Sequence, residues 1–282
     1  MVTSLIINNK RAACIICLSM LFFCTHGMAH ENLCSLIRCQ ESSARVMPPH
    51  MTGSGTYFGL GGTLSSPFTY TIRNDTKTGN ISFNWVTGIA TLQSNLDPFL
   101  RLRDCAFAFS QAGRKNRDVQ KIINLLKHDE RISRWDETNK KIAIRYFRDG
   151  RFLKEKENSY DGFLFDGEHI SIYLQVLLMR GLRQSFENDV MISAQGYKLG
   201  VSCRFMETVN PLLVNENYTL PAAVTSRLAP GKPYYMFEMK MTGVAGVFHR
   251  IKYYFVYEAR PPFRFIAYWG GTKGYEEFIV CD

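Results

Sequence analysis

The residues that could do acid–base or metal chemistry are scattered along this chain. Of six histidines His26 falls in the apolar N-terminal leader, and His30, His50, His128, His169 and His249 have no close metal-type spacing and no His-Glu-x-x-His motif. Carboxylates gather as Asp161, Asp166 and Glu168, and again as Glu276 and Glu277. Glycoside hydrolysis needs two carboxylates at a set separation across the sugar. Asp161-Gly162 and Asp166-Gly167 have a plainer role, because Asp-Gly pairs form turns. No Gly-x-Ser-x-Gly elbow and no regular calcium-loop spacing occurs. Gly59-Leu60-Gly61-Gly62-Thr63-Leu64 lacks the last glycine of a dinucleotide fingerprint. The residues therefore assign no catalytic group, no metal site and no cofactor.

His249 has the most suggestive position. It falls between Val247 and Ile251 on the apolar parity of an alternating run. A histidine there either contacts a ligand inside a cavity or is a hydrogen-bonded core residue, and no partner carboxylate or thiol favours the first.

The elements that must position such residues are strands. Tyr235, Phe237, Met239 and Met241 share one parity, and after Gly243-Val244-Ala245-Gly246 so do Val247, His249, Ile251, Tyr253, Phe255 and Tyr257. Strand side chains alternate between faces, so Tyr234–Glu258 reads as a hairpin with an aromatic face and a wetter one. The face carrying Tyr235, Phe237, Met239, His249, Tyr253 and Phe255 is the candidate ligand-binding surface. The second strand, read as Val247–Glu258, is about twice the usual length of 5–6 residues, which favours coiling.

Earlier in the chain, Phe68, Tyr70 and Ile72 alternate, Asn74 to Thr78 turn, and Ile81, Phe83 and Trp85 return, giving a hairpin over 67–86. Val119, Ile122, Ile123 and Leu126 recur at helical spacing within a basic stretch, predicting a helix from Arg114 to Ile132 packed on the sheet. Asp149-Gly150 predicts a tight hairpin. Ser171–Arg180 reads as a short apolar helix stopped by Gly181, and Tyr218–Thr225 as a strand. The fold expected is mainly β: a single curved antiparallel sheet, half-barrel, lipocalin-like or lipoprotein-carrier-like, with one or two helical inserts.

The N-terminus has the order of a secretory signal: Lys10-Arg11, an apolar run Ala12–Cys24, then Gly27-Met28-Ala29. That run is short against the roughly 20 residues of a membrane span. Cleavage after Ala29 is expected, giving a signal peptide at 1–29, a flexible lead-in at 30–66 and a β-rich domain at 67–282. Three of the eight cysteines would leave with the leader, and Cys34 and Cys39 are the disulfide candidates among the rest. The net charge of +9 would fall to +7 on losing Lys10 and Arg11. For an exported protein the anionic partners are lipid headgroups or acidic glycans rather than nucleic acid.

Phe68-Thr69-Tyr70-Thr71-Ile72-Arg73, the Thr78-Gly79 return, Asp166-Gly167 leading into Ile172–Arg180, and the close at Tyr275-Glu276-Glu277-Phe278 together resemble an uncharacterised bacterial periplasmic family, the domain of unknown function 3108. The resemblance spans 67–281 and departs at the basic insert 110–135. It implies a periplasmic or secreted curved β-sheet domain similar to lipoprotein carriers, with no assigned catalytic residues. The leading functional expectation is a non-catalytic module binding an apolar or amphipathic envelope molecule, with peripheral membrane contact. The alternative is a structural protein with a filled core that binds an envelope protein partner; an envelope hydrolase ranks last.

Overall fold

In a computed structural model, the described residues are 48–59, 61–98, 100–159, 164–166, 170–192, 196–214, 218–228, 230–243, 251–271 and 276–282. Val247, His249, Cys34, Cys39 and the signal and lead-in residues up to 47 lie outside them. Fifteen strands form one sheet. In the first half of the chain these are β1 (His50–Gly59), β2 (Leu64–Asn74), β3 (Ile81–Thr87), β4 (Ala90–Leu96), β5 (Leu102–Phe109), β6 (Glu130–Asp136), β7 (Lys141–Arg148) and β8 (Arg151–Ser159). The second half supplies β9 (Leu164–Asp166), β10 (Phe186–Ile192), β11 (Tyr197–Thr208), β12 (Tyr234–Met241), β13 (Lys252–Glu258), β14 (Phe265–Gly270) and β15 (Glu277–Cys281).

Their order is β8 through β1 and then β15 back to β9, antiparallel throughout except β9 beside β10. β1–β8 and β10–β15 are thus meanders, and among the described residues the strand ladder passes from one half to the other where β1 pairs with β15. The sheet has two free edges and does not close into a barrel, yet it is rolled. β9, at one edge, packs against β5 deep in the other half. The turn between β10 and β11 touches β8, where Asn158 donates to the Gly196 carbonyl at 3.4 Å.

Helices α1 (Gln111–Lys115) and α2 (Arg117–Leu126) bridge β5 and β6, and α3 (Ile170–Met179) follows β9. Ser110 caps α1 by accepting from the Gly113 amide, and Asn116 caps α2 by accepting from the Asp118 and Val119 amides. Val119, Ile122 and Ile123 of α2 are buried as their spacing predicts. The predicted helix to Ile132 is too long: Lys127 takes a left-handed conformation at φ 67° and ends it, and β6 begins at Glu130.

Helix α3 is apolar on every side and sits in the interior of the roll, with Tyr173, Leu174, Val176, Leu177 and Leu178 all fully buried. Gly181 stops it as predicted, with φ +87°, a bond from its amide to the Leu178 carbonyl and one from the Leu182 amide to the Leu177 carbonyl. Asp149 and Gly150 both have positive φ, the tight-turn geometry their pair predicts.

Three further expectations are corrected. Residues 50–59 of the expected flexible lead-in are the strand at the junction of the two halves. Glycines hide it, because the neighbouring strands leave no room for side chains: a Cβ on Gly55 would collide with the Val280 carbonyl oxygen. Tyr218–Thr225 is not a strand; it leads into α4 (Ala222–Arg227). The face of β12–β13 expected to be wet is buried, since Tyr234, Met236, Tyr254 and Val256 pack beneath Val224 and Leu228 as a second apolar layer on the outside of the roll. Tyr218 pins this outer strap, its hydroxyl lying 2.7 Å and 3.1 Å from the Lys252 and Gly271 carbonyls. Burial pushes that phenol up to about 12.

Candidate functional site

The inner face of the roll and α3 leave a cavity of about 120 Å³. Its walls come from the β1–β5 half, from β13–β15, and from α2 and α3. Phe68, Phe83, Phe107 and Phe109 form the sheet wall, Ile122 and Leu126 the α2 side, and Ser171, Ile172 and Gln175 the α3 side. Trp85, Ile89, Leu126, Ser171, Ile172 and Ile279 are the half-buried residues of the lining. The Trp85 ring is held by Tyr57 edge-on at 6.3 Å and by Phe68 at 5.9 Å.

Polar side chains interrupt this apolar surface, among them Arg131, Glu277 and Gln175. Arg131 is fully buried, its guanidinium 4.3 Å from the centre of the Phe107 ring. Glu277 is fully buried and accepts from the Tyr57 hydroxyl at 3.1 Å. Gln175 on α3 donates to the Pro262 carbonyl at 3.5 Å. An apolar chamber with a few fixed polar groups is the general form of a small-molecule site.

The tyrosines and thiols around this interior are chemically quiet. Burial raises the Tyr70, Tyr257 and Tyr268 phenols, so they stay protonated. Burial likewise raises the Cys203 and Cys281 thiols away from the reactive thiolate. Among the described residues no group of three His, Cys, Asp or Glu side chains is placed to hold a metal ion.

Of the residues expected to bind ligand, Phe255 lines the cavity. Tyr235, Phe237, Met239 and Tyr253 share its face and its core but are packed by neighbours. Phe237 lies among Phe186, Phe205 and Tyr257, Tyr235 sits against Phe205 and Phe263, and Tyr253 stacks on Tyr268 at 6.3 Å. The larger share of the lining comes from the N-terminal half. Alternation of Phe68 with Tyr70, Ile81 with Phe83 and Trp85, and Phe107 with Phe109 signals that inner face as clearly as the C-terminal hairpin signals its own.

Beside the cavity, His128 is buried with its Nδ1 donating to the Leu126 carbonyl at 3.1 Å and its ring edge against Tyr146 at 4.7 Å. Burial, together with Arg131 and Lys154, pushes its pKa down to about 4 from 6.5. Between those values the unfolded chain holds a proton that the folded chain refuses, so stability falls as pH drops through this window. The loss reaches about 3 kcal/mol once pH is below both values. Urea unfolding across the window should show wild type losing more stability than His128→Gln; parallel losses in the two proteins would remove His128 as the cause.

No helix among the described residues is long and apolar enough to cross a membrane. No family model matches the chain, and no curated protein matches it. Among solved structures, a β-barrel-like protein of domain of unknown function DUF1849 from Brucella abortus aligns over 83% of this chain and 95% of its own, at 7% identity and a TM-score of 0.39. DNA polymerase III subunit beta from Borrelia burgdorferi, solved in complex with a natural product, aligns over 90% of this chain and 63% of its own, at 7% identity and a TM-score of 0.15.

Proposed function

We propose that the protein is an exported, non-catalytic binding module that takes the apolar end of a small amphipathic envelope molecule into the cavity beside α3. The observation that carries this is the aromatic chamber itself, apolar on most of its wall, with the half-buried Trp85, Ile89, Leu126 and Ile172 in its lining. Its 120 Å³ is below the roughly 300–1,000 Å³ of a site that encloses a whole drug-sized ligand. A dry cavity of about 150 Å³ holds one benzene. The occupant is therefore a ring or a chain end, with the rest of the molecule outside. The leader-like N-terminus and the resemblance to the domain of unknown function 3108 family support a periplasmic or secreted setting.

Ala90 lines the cavity and is buried. Ala90→Leu should fill the space with three carbons, lower binding of a fluorescent polyene fatty acid at least tenfold, and leave the fold intact or stabilise it by about 0.5–2 kcal/mol. Titration of wild type and variant, with mass spectrometry of lipid extracted from the purified protein, provides the test. A wild-type protein that binds no probe and carries no lipid would overturn the proposal in favour of the filled-core structural alternative.

A further inference from the structure

Six large hydrophobic side chains are exposed among the described residues, and three of them sit at one corner of the roll: Leu125 at 41%, Phe152 at 58% and Leu153 at 46% exposure. The corner is a built unit. Arg148 at the end of β7 donates to Asn124 of α2 at 3.0 Å, and the buried Asp129 carboxylate accepts from the Asp149 amide at 3.2 Å. The Phe152 ring rests edge-on against Phe147 at 5.9 Å.

Single exposed apolar residues are ordinary on protein surfaces. Here they are interleaved with cations. Arg117, Lys121 and Leu125 follow one another at four-residue spacing and so form one stripe along α2. Arg151 precedes Phe152 on the hairpin. Across residues 117–127 and 148–153, the five cations Arg117, Lys121, Lys127, Arg148 and Arg151 face two carboxylates, Asp118 and Asp149. Asp118 holds Lys121 at 2.7 Å, an exposed pair that a lipid phosphate can compete for. The buried stripe of α2 is committed to the core, so the helix cannot lie on a bilayer by that face.

We infer that this corner, the tip of β7–β8 with the outer stripe of α2, docks on the surface of an anionic lipid bilayer. Phe152, Leu153 and Leu125 enter the headgroup boundary, while the arginines and lysines keep their charges at the level of the phosphates. Exposed apolar side chains set among an excess of cations match an anionic headgroup layer over an apolar interior. Leu126, next to Leu125, lines the cavity, so docking brings that wall of the chamber to the lipid.

Flotation of the purified protein with vesicles of phosphatidylglycerol mixed with phosphatidylcholine, against pure phosphatidylcholine vesicles, tests the assignment. Wild type should float with the anionic vesicles and detach as salt is raised. The double change Phe152→Ser with Leu153→Ser should weaken partitioning at least tenfold, and Arg151→Gln and Lys121→Gln about fivefold each. Leu125→Ser reads the same surface from the helix should the strand variant misfold, and thermal unfolding identifies variants that remain native. Ala90→Leu should float like wild type, which separates this surface from the cavity. Val209→Ser with Leu213→Ser, changing exposed apolar residues elsewhere, should have no effect. Failure to float with anionic vesicles, equal flotation with both kinds, or an equal loss in the Val209 and Leu213 control would overturn the inference.

Discussion

Gly55→Val is expected to abolish the folded protein. Gly55 lies where β1 is paired on both sides, with Cys281 of β15 across one edge and Phe68 of β2 across the other. A Cβ there would meet the Val280 carbonyl oxygen, and would lie 2.9 Å from both the Cys281 Cα and the Phe68 ring. The carbonyl belongs to the neighbouring strand's backbone, so relief requires β15 to move away from β1. Among the described residues, the strand ladder runs from one half of the sheet to the other through this pair. Separating them exposes two strand edges and opens the interior around α3. The cost should exceed about 4–5 kcal/mol, a large part of the roughly 5–15 kcal/mol that keeps a domain folded. Soluble yield, circular dichroism and thermal unfolding are the measurements, with Thr56→Val on the opposite face of β1 as the control. A Gly55→Val protein that melts with wild type would refute the β1–β15 junction.

The second large effect is expected in α3. Leu177 is fully buried inside the roll and its carbonyl accepts from the Leu182 amide. Leu177→Ala preserves the helix, since alanine is the best helix former, and removes only packing. The surrounding sheet is tied by its own ladders and cannot collapse onto the vacated space, so the cost should be about 3–5 kcal/mol. Chemical denaturation gives the value directly. Leu125→Ala, on the solvent side of α2, should change stability by less than about 0.5 kcal/mol in the same assay. A cost near that of the surface control would mean that the interior is not packed around α3.

What could be read from the residues depended on whether local chemistry or distant packing made the decision. The Asp149-Gly150 turn and the stop at Gly181 are local, and both stand where their residue types place them. So do the hairpins built on Phe68, Tyr70 and Ile72 and on Ile81, Phe83 and Trp85. β1 is illegible because Gly53, Gly55 and Gly59 take three of its inner positions, and Met51 and Tyr57 are too widely spaced to show an alternation. The start of β6 falls inside the predicted helix, which runs to Ile132, because the inner face of this strand carries Arg131 and Ser133 and so shows no apolar alternation. The outer burial of Tyr234, Met236, Tyr254 and Val256 cannot be seen from β12–β13, because it is made by a separate strap, residues 218–228, that precedes both strands. The candidate site was half legible for a related reason. The aromatic inner face was visible at both ends of the chain, but which part of it stays unfilled depends on where α3 comes to rest. On the β12–β13 hairpin the rings of Tyr235, Phe237 and Tyr253 pack against neighbouring rings, and Phe255 is the candidate residue that reaches the cavity.

The pairing of β1 with β15 also orders events in time. The hydroxyl of Tyr57 meets the carboxylate of Glu277 across 220 residues of chain, so the strand made early waits for one made late. While synthesis proceeds, the β1–β8 meander can form its own hairpins, yet one long edge of β1 has no partner. Closing a loop of that span is a slow, non-local step, and the waiting edge is a template for wrong pairing with another chain. The protein should therefore depend on a holding factor, or on rapid completion of the chain, more than its short local turns would suggest. Chains stalled before β15 should accumulate as aggregates rather than as half-folded soluble species.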